Sequence, residues 1–358
     1  IEPSKSGAEH LTFNSLVVSA LLLRAPESTC LAAAKSHYEA LGHPSIAFCQ
    51  LPIVSIVKRR FIAKVLVEAF AIAKAFLYAK NHGIRHAIVL SVFPPLLFWL
   101  TLMARLLGIS TTLILHGELE GLVDSSRQRI TSFGYWVQWF FKGEGYRHIK
   151  CIVLSEGIHR RLMRLYPAAA EFVSWANHPL AKPNSSSKAQ RDFSFATVGV
   201  STEKKHGQLF RQLADFAESG QHVAHVGMTE PELFDRYRQK IKFFCSPGKH
   251  LSQDEFEIAL KRVSHAVFPY AQSSYQMTVS GAMLDAIACG CKVVCLPNDF
   301  AKDLVDAGLP VTIAANLESL LRPIEEQTAG NIPWHSFSAD AFCDKLLDSF
   351  SVGARVAE

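Results

Sequence analysis

The sequence predicts an α/β protein made of two doubly wound, Rossmann-like domains. Three observations carry that reading. Apolar runs of four to six residues alternate with helical stretches along most of the chain, the pattern of parallel strands covered by helices on both faces. The alternation falls into two series, divided by "HPLAKPNSSSKAQRD" (178–192), whose prolines, asparagine and serines read as a polar linker. The 358 residues are 49% hydrophobic and 19% charged, enough apolar matter for two cores at about 150 residues per domain.

Taken in order, Ile1-Glu2-Pro3 reads as the end of a first strand, with more of it expected upstream, and a helix follows from about Glu9. "HAIVLS" (86–91) is a strand leading to a helix over 95–107 that stops at Gly108. The uncharged run Ala87–Ala104 reaches the minimum for a membrane span, about 18 residues. Pro94-Pro95 cuts it in two, so it reads as strand and helix of a soluble core. "TTLILH" (111–116) precedes a polar loop, and "IKCIVLS" (149–155) leads to "EGIHRRLMRLY".

In the second series "DFSFATVG" (192–199) leads to a helix near 206–218, and "HVAHVG" (222–227) to "EPELFDRYRQK". "IKFFCS" (241–246) leads to "SQDEFEIALKRV", and "HAVFPY" (265–270) to "SSYQMTVSGAMLDAIACGCKVVCLP" (273–297), a loop, helix and strand. "SADAFCDKLLDSF" (338–350) is an amphipathic final helix capped by Ser338. The expected boundaries are 1–180, 181–335 and a terminal helix over 336–358.

Charge divides with the domains. Residues 1–180 hold 19 Lys and Arg against 11 Asp and Glu, a net +8, while the remaining 18 basic and 21 acidic residues give −3. A basic first half suits an anionic membrane surface or a phosphorylated lipid. "VKRRFIAK" (57–64), "FGYWVQWFFKGEGYRHIK" (133–150) and "HRRLMRLY" (159–166) mix basic and aromatic residues there, as in proteins that rest on a membrane. No basic stripe follows one element, which argues against nucleic-acid binding. The eight cysteines have no zinc or redox spacing, so a reducing, cytoplasmic setting is expected, and no secretory signal is legible.

Four places sit where strands give way to loops, the edge at which such folds bind ligands. In "EPSKSGAEH" (2–10) Gly7 permits close backbone approach, ahead of a helix N-terminus suited to an anion. In "ILHGELEG" (115–122) His116 closes a strand and precedes Glu118 and Glu120. A strand-end histidine serves as hydrogen-bond donor or base, or makes a structural bond. In "TVGVSTEKKHG" (197–207) a strand ends at Gly199 and Lys205 lies at the following helix, a natural diphosphate grip though not a Walker loop. In the 273–297 stretch Ser280 caps a helix whose free N–H groups suit a phosphate. Asp285, further in, suits ribose hydroxyls, or merely complements the helix N-terminus.

In this order the four places resemble the GT-B glycosyltransferases, especially the retaining family-four enzymes. "SGAEH" resembles their "GGAE" loop, "LHGE" their cleft histidine, "VGVSTEKKHG" their "VGR…EKG" loop, and "GAMLDAIACGCKVVCLP" their "EAMACGTPVV" signature. The resemblance implies two Rossmann-like domains facing a cleft and a final helix crossing back to the first. It implies a UDP- or GDP-linked sugar bound mainly by the second domain and a saccharide or lipid-linked acceptor by the first.

The implied catalytic residues are His116, Lys205 and Asp285, with Glu118 as a further base candidate. Gly7, Gly199, Ser201, Tyr275, Thr278, Ser280 and Gly281 form the implied donor grip, and no metal or other cofactor is required. Val200 replaces the family arginine, and Met277 the first of two glutamates. These departures leave open the sugar and the stereochemical outcome. Sugar transfer in surface polysaccharide or glycolipid assembly is the expected activity. A sugar-nucleotide epimerase on the same fold and a non-catalytic sugar-nucleotide-binding subunit are the alternatives.

Overall fold

The computed structural model describes residues 1–3, 10–52, 61–123, 129–130, 132–143, 149–181, 191–321 and 333–351, the side chains of Lys205, Phe350 and Ser351 excepted. The linker stretch 182–190 and the basic segment 53–60 thus lie outside the described residues. The chain forms two compact units. The first comprises Ile1–Pro179, Gln276–Val279 and His335–Glu358, and the second Leu180–Tyr275 and Ser280–Trp334.

In the first unit, α1 (Leu11–Arg24), β1 (Cys30–Ala33), α2 (Lys35–Leu41), β2 (Ala47–Gln50) and α3 (Phe61–Asn81) come first. They are followed by β3 (His86–Val89), α4 (Leu97–Leu107), β4 (Ser110–Leu115), α5 (Phe133–Lys142), β5 (Ile149–Val153), α6 (Glu156–Leu165) and β6 (Val173–Trp175). Strands β3 to β6 pair in chain order, and β1 pairs with β2, all in parallel. Ile1 and Glu2 bridge the two sheets. The Glu2 N–H donates to Ala32, while Ile1 bonds to Ile88 through its amino group and accepts from the Leu90 N–H. The run around Pro94-Pro95 forms β3, a 3₁₀ turn at Pro94–Leu96 and α4, ended at Gly108 with φ 64°. Among the described residues no helix is long and apolar enough to cross a membrane.

The second unit holds β7 (Phe193–Val198), α7 (Glu203–Glu218), β8 (Val223–Val226), α8 (Pro231–Tyr237), β9 (Lys242–Phe243) and α9 (Gln253–Lys261). It continues with β10 (Val263–Phe268), α10 (Gly281–Ala288), β11 (Lys292–Cys295), α11 (Asp299–Asp306) and β12 (Val311–Ile313). The sheet is parallel throughout, in the order β12-β11-β10-β7-β8-β9. The chain thus builds outward from β7 to one side, then returns to β10 on the other, the Rossmann arrangement with its switch point between β7 and β10. Strand interiors such as Val267 and Val294 are fully buried, as a sheet covered on both faces requires.

The last helix, α12 (Ala339–Ser351), belongs to the first unit and packs on α1 and β4. Ser338 caps it by accepting the Ala341 N–H at 3.0 Å. Arg24 of α1 bonds Asp340 and Asp344, each at 2.8 Å, and Phe342 and Leu346 fill the core beneath.

Candidate functional site

Each unit carries one group of the sequence-predicted residues, at the carboxyl ends of its strands. In the first unit His116 follows β4 and is 7% exposed. Its ring lies edge-on to Phe13 at 4.4 Å and 4.8 Å from the His10 ring, with His178 at 6.5 Å. Burial lowers the His178 imidazole to about 4, so it stays neutral, and its Nδ1 lies 2.9 Å from the Pro179 carbonyl oxygen. Glu118 opens a 3₁₀ turn and turns back on the strand end: its carboxylate accepts the His116 N–H at 2.7 Å. The loop thereby fixes the position of the histidine. Gly7 lies outside the described residues.

Two residues of this turn reach a distant part of the chain. The Glu120 carboxylate accepts the backbone N–H groups of Gln276 and Met277 at 3.2 and 2.8 Å. Arg161 of α6 donates to the Gln276 carbonyl at 2.6 Å. This two-ended clamp seats Gln276–Val279 within the first unit. Met277, where the family resemblance leads one to expect a glutamate, is 1% exposed in that unit's core. The substitution is thus a packing residue. Thr278 lies close to Gly117, whose added Cβ would stand 3.9 Å from the threonine hydroxyl.

In the second unit the loops after β7 and β10 are neighbours at the switch point. Gly199 has φ 100° and Gly227 φ 142°. A Cβ on Gly227 would stand 2.1 Å from the Gly199 carbonyl oxygen, so this close approach requires glycine. Beyond it Ser201 pairs with Thr229 in an isolated bridge. The hydroxyls of both are buried and make no hydrogen bond to described residues. The first turn of α7 is already engaged: the Glu203 N–H donates to the Glu230 carboxylate at 2.9 Å, and the Glu203 carboxylate pairs with Arg236 at 2.9 Å. The Lys205 backbone lies in this first turn; its side chain is outside the described residues.

The loop after β10 brings together residues the sequence only partly announces. Tyr275 has φ 57°, a left-handed backbone that costs a bulky residue about 1–2 kcal/mol. Its ring stands 4.4 Å from that of Tyr270. The Tyr270 hydroxyl reaches Ser280 Oγ at 3.2 Å, and burial first, then the neighbouring Tyr275, pushes its pKa well up. Tyr270 was not singled out from the sequence. Its signal was its place just beyond a strand end, in "HAVFPY".

Ser280 caps α10 by accepting the Met283 N–H at 3.4 Å. No acidic residue lies in the first turn, Gly281 is exposed, and Ala282 approaches Gly199. Asp285, further along α10, is partly exposed; its carbonyl accepts the Cys289 N–H at 2.9 Å, and its carboxylate makes no hydrogen bond to a described residue. Burial, then the charge of Glu257, raises its carboxyl to about 7.

These two units are Rossmann-like α/β layers on one chain, and together they define the fold as GT-B. No family model matches the chain, and no curated protein matches it. Solved structures share its fold. Anabaena HepE in complex with UDP is 13% identical with a TM-score of 0.57, over 99% of this chain and 97% of that one. A putative UDP-N-acetylglucosamine 2-epimerase from Listeria monocytogenes is 9% identical with a TM-score of 0.60, over 97% and 95%. A glycosyltransferase from Rickettsia africae is 11% identical with a TM-score of 0.56, over 89% and 84%. At these identities the likeness establishes the fold alone.

Proposed function

We propose that the chain is a glycosyltransferase that moves a sugar from a UDP- or GDP-linked donor to a hydroxyl of a saccharide or lipid-linked saccharide. The observation that carries this is the amino end of α10. It follows a cap that takes only one side-chain contact from the helix, bears no acidic residue, and adjoins the Gly199 loop at the switch point of a Rossmann sheet. That is the local environment a diphosphate needs. Two of the fold neighbours, HepE in complex with UDP and the Rickettsia glycosyltransferase, support the reading.

In this reading the α10 amides, the Gly199 loop and Lys205 hold the diphosphate, with Ser201, Tyr275, Ser280 and Gly281 around the donor. Asp285 accepts hydrogen bonds from the ribose. The bond from the sugar's anomeric carbon to the phosphate oxygen breaks, and its electron pair leaves with the diphosphate, whose charge the amides and lysine stabilise. The acceptor oxygen forms the new bond to that carbon, and its proton passes to the departing phosphate. The outcome is then retention, without a metal. With His116 or Glu118 as base the outcome is inversion instead. Thr278 counts among the residues around the donor, the His116 loop falls to the acceptor-binding first unit, and the setting is surface polysaccharide or glycolipid assembly on the cytoplasmic side of a membrane.

The epimerase reading has one observation in its favour, the shared fold of the Listeria protein. It requires acid–base groups at the sugar, where the buried, apolar Met277 replaces the family glutamate. Thermal unfolding with UDP, GDP, CDP and ADP tests the common basis. A nucleotide at about 100 times its Kd adds ~2.7 kcal/mol, and one base is expected to shift the transition alone. No shift with any of them overturns the proposal. Incubation with the corresponding sugar nucleotides, with and without saccharide acceptors, then separates transfer from epimerisation by product.

A further inference from the structure

The surface of α3, α4 and α5 is unlike the rest of the molecule. These three successive helices pack in the order α3, α4, α5. They expose nine large apolar side chains, among them Ile62, Leu66, Phe70, Phe98 and Trp139, whereas the described residues of the second unit expose three. A run of this size on a water-soluble surface marks an interaction site. Ile62, Leu66 and Phe70 lie four residues apart on one face of α3. Their exposure is 74%, 65% and 63%, so the face is not covered by the unit's own core.

The charges on the same helices have one sign. Lys64, Lys74, Lys80, Arg105 and Lys142 are the basic residues of α3 to α5, and Glu68 is the one carboxylate. Glu68 is 4% exposed and paired with Lys64 at 3.5 Å, so no exposed carboxylate remains on these helices. Between α4 and α5 runs an apolar groove of about 460 Å³, lined by Phe98, Thr101, Leu102 and Trp139. Arg105 and Lys142 stand along it, each in the last turn of its helix.

We propose that the α3–α5 face docks on an anionic lipid bilayer, with a lipid chain in the Phe98–Leu102–Trp139 groove and its phosphate at Arg105 and Lys142. Apolar side chains enter the acyl boundary while cations meet the headgroups, the two contributions that hold a monotopic surface. A protein partner matching this face would need both an apolar ridge and surplus acid; a bilayer of anionic lipid offers both continuously. The proposal deepens the lipid-linked-acceptor part of the function proposed above. It is measured without any sugar nucleotide, so that failure of docking and failure of the donor reading are separable.

The test is flotation of the full chain with vesicles of phosphatidylcholine alone and of phosphatidylcholine with 30% phosphatidylglycerol, about three parts in ten being enough to give a strong negative surface. Binding is expected to the anionic vesicles and to weaken with salt. Each cation at the surface contributes about a fivefold factor. Arg105→Glu with Lys142→Glu is therefore expected to lower partitioning by well over tenfold, and Trp139→Asp to do so without removing the charge preference. Because these side chains are exposed, the fold is expected to survive. Quenching of wild-type tryptophan fluorescence by bromolipids, lost in Trp139→Phe, gives a readout that needs no disruptive variant. Absence of vesicle binding, binding indifferent to these substitutions, or a Trp139-dependent dimer in sedimentation without vesicle binding would each overturn the proposal.

Discussion

Two helices of the second unit start beside the same sheet edge, yet their first turns are in opposite states. At α7 the protein has spent the helix dipole on itself: the Glu203 N–H holds the Glu230 carboxylate, and Arg236 pairs with Glu203. At α10 the cap is a neutral serine, the next residue is an exposed glycine, and no acidic side chain lies in the first turn. A helix N-terminus carries about half a positive charge whatever its sequence. What distinguishes a binding end from a structural one is whether a carboxylate from elsewhere in the fold has reached it first. In the function proposed above, α10 is the phosphate end and α7 contributes through Lys205 and the Gly199 loop.

The comparison breaks most sharply at Gly281. Its backbone is not left-handed, and a Cβ there would meet nothing within 4 Å, so Gly281→Asp is expected to fold. It places a carboxylate at the first position of α10. At an effective dielectric of about 20 and a separation of about 5 Å, the repulsion of a phosphate is roughly 3 kcal/mol. UDP or GDP affinity in calorimetry should fall about a hundredfold, and unchanged affinity would exclude α10 as the phosphate end. Lys205→Ala comes next. Loss of a charge-assisted contact of about 2 kcal/mol predicts a roughly thirtyfold weaker nucleoside diphosphate and little change for the nucleoside.

Asp285→Asn sharpens the same comparison from the ribose side. Affinity should fall about tenfold, and the variant should no longer favour the ribonucleotide over its 2′,3′-dideoxy analogue. Its stability should move the other way. The folded carboxyl is raised to about 7 from its ordinary value of 3.8, so between those values the folded chain holds a proton that the unfolded chain has lost. The penalty is absent below about pH 4 and complete above about pH 7. Asp285→Asn therefore melts higher than the wild type at pH 8, by no more than a few kcal/mol of stability, with no difference at pH 4. The smallest effect is expected at Glu230. Glu230→Gln should cost about 1 kcal/mol of stability and leave nucleotide affinity within about twofold. A marked gain in affinity would show that α7, once freed, binds phosphate too.

Much of the frame was readable from local pattern. The strand–helix alternation, the helix begun at Ser280, the final helix capped by Ser338 and the stop at Gly108 all appear in the fold. Each depends on residues within a few positions of one another. The long helix α3 and the amphipathic character of α5 were legible only as basic and aromatic stretches, because an apolar face looks the same in sequence whether a core or a bilayer covers it. Tyr270 was passed over because nothing near it in sequence reveals that Tyr275 and Ser280 fold back on its hydroxyl.

By itself, then, the sequence determined the two α/β series, the placing of glycines, serines and histidines at strand ends, and the charge split between the halves. Periodicity and capping are short-range, so they survive in a linear reading. Only the tertiary structure decided that Met277 is a core residue, and that Glu120 clamps a segment 157 residues away. It also decided that Glu230 has closed the end of α7 while that of α10 stays open. Those outcomes depend on which carboxylate meets which amide after the chain has folded, and spacing along the chain carries no record of such meetings.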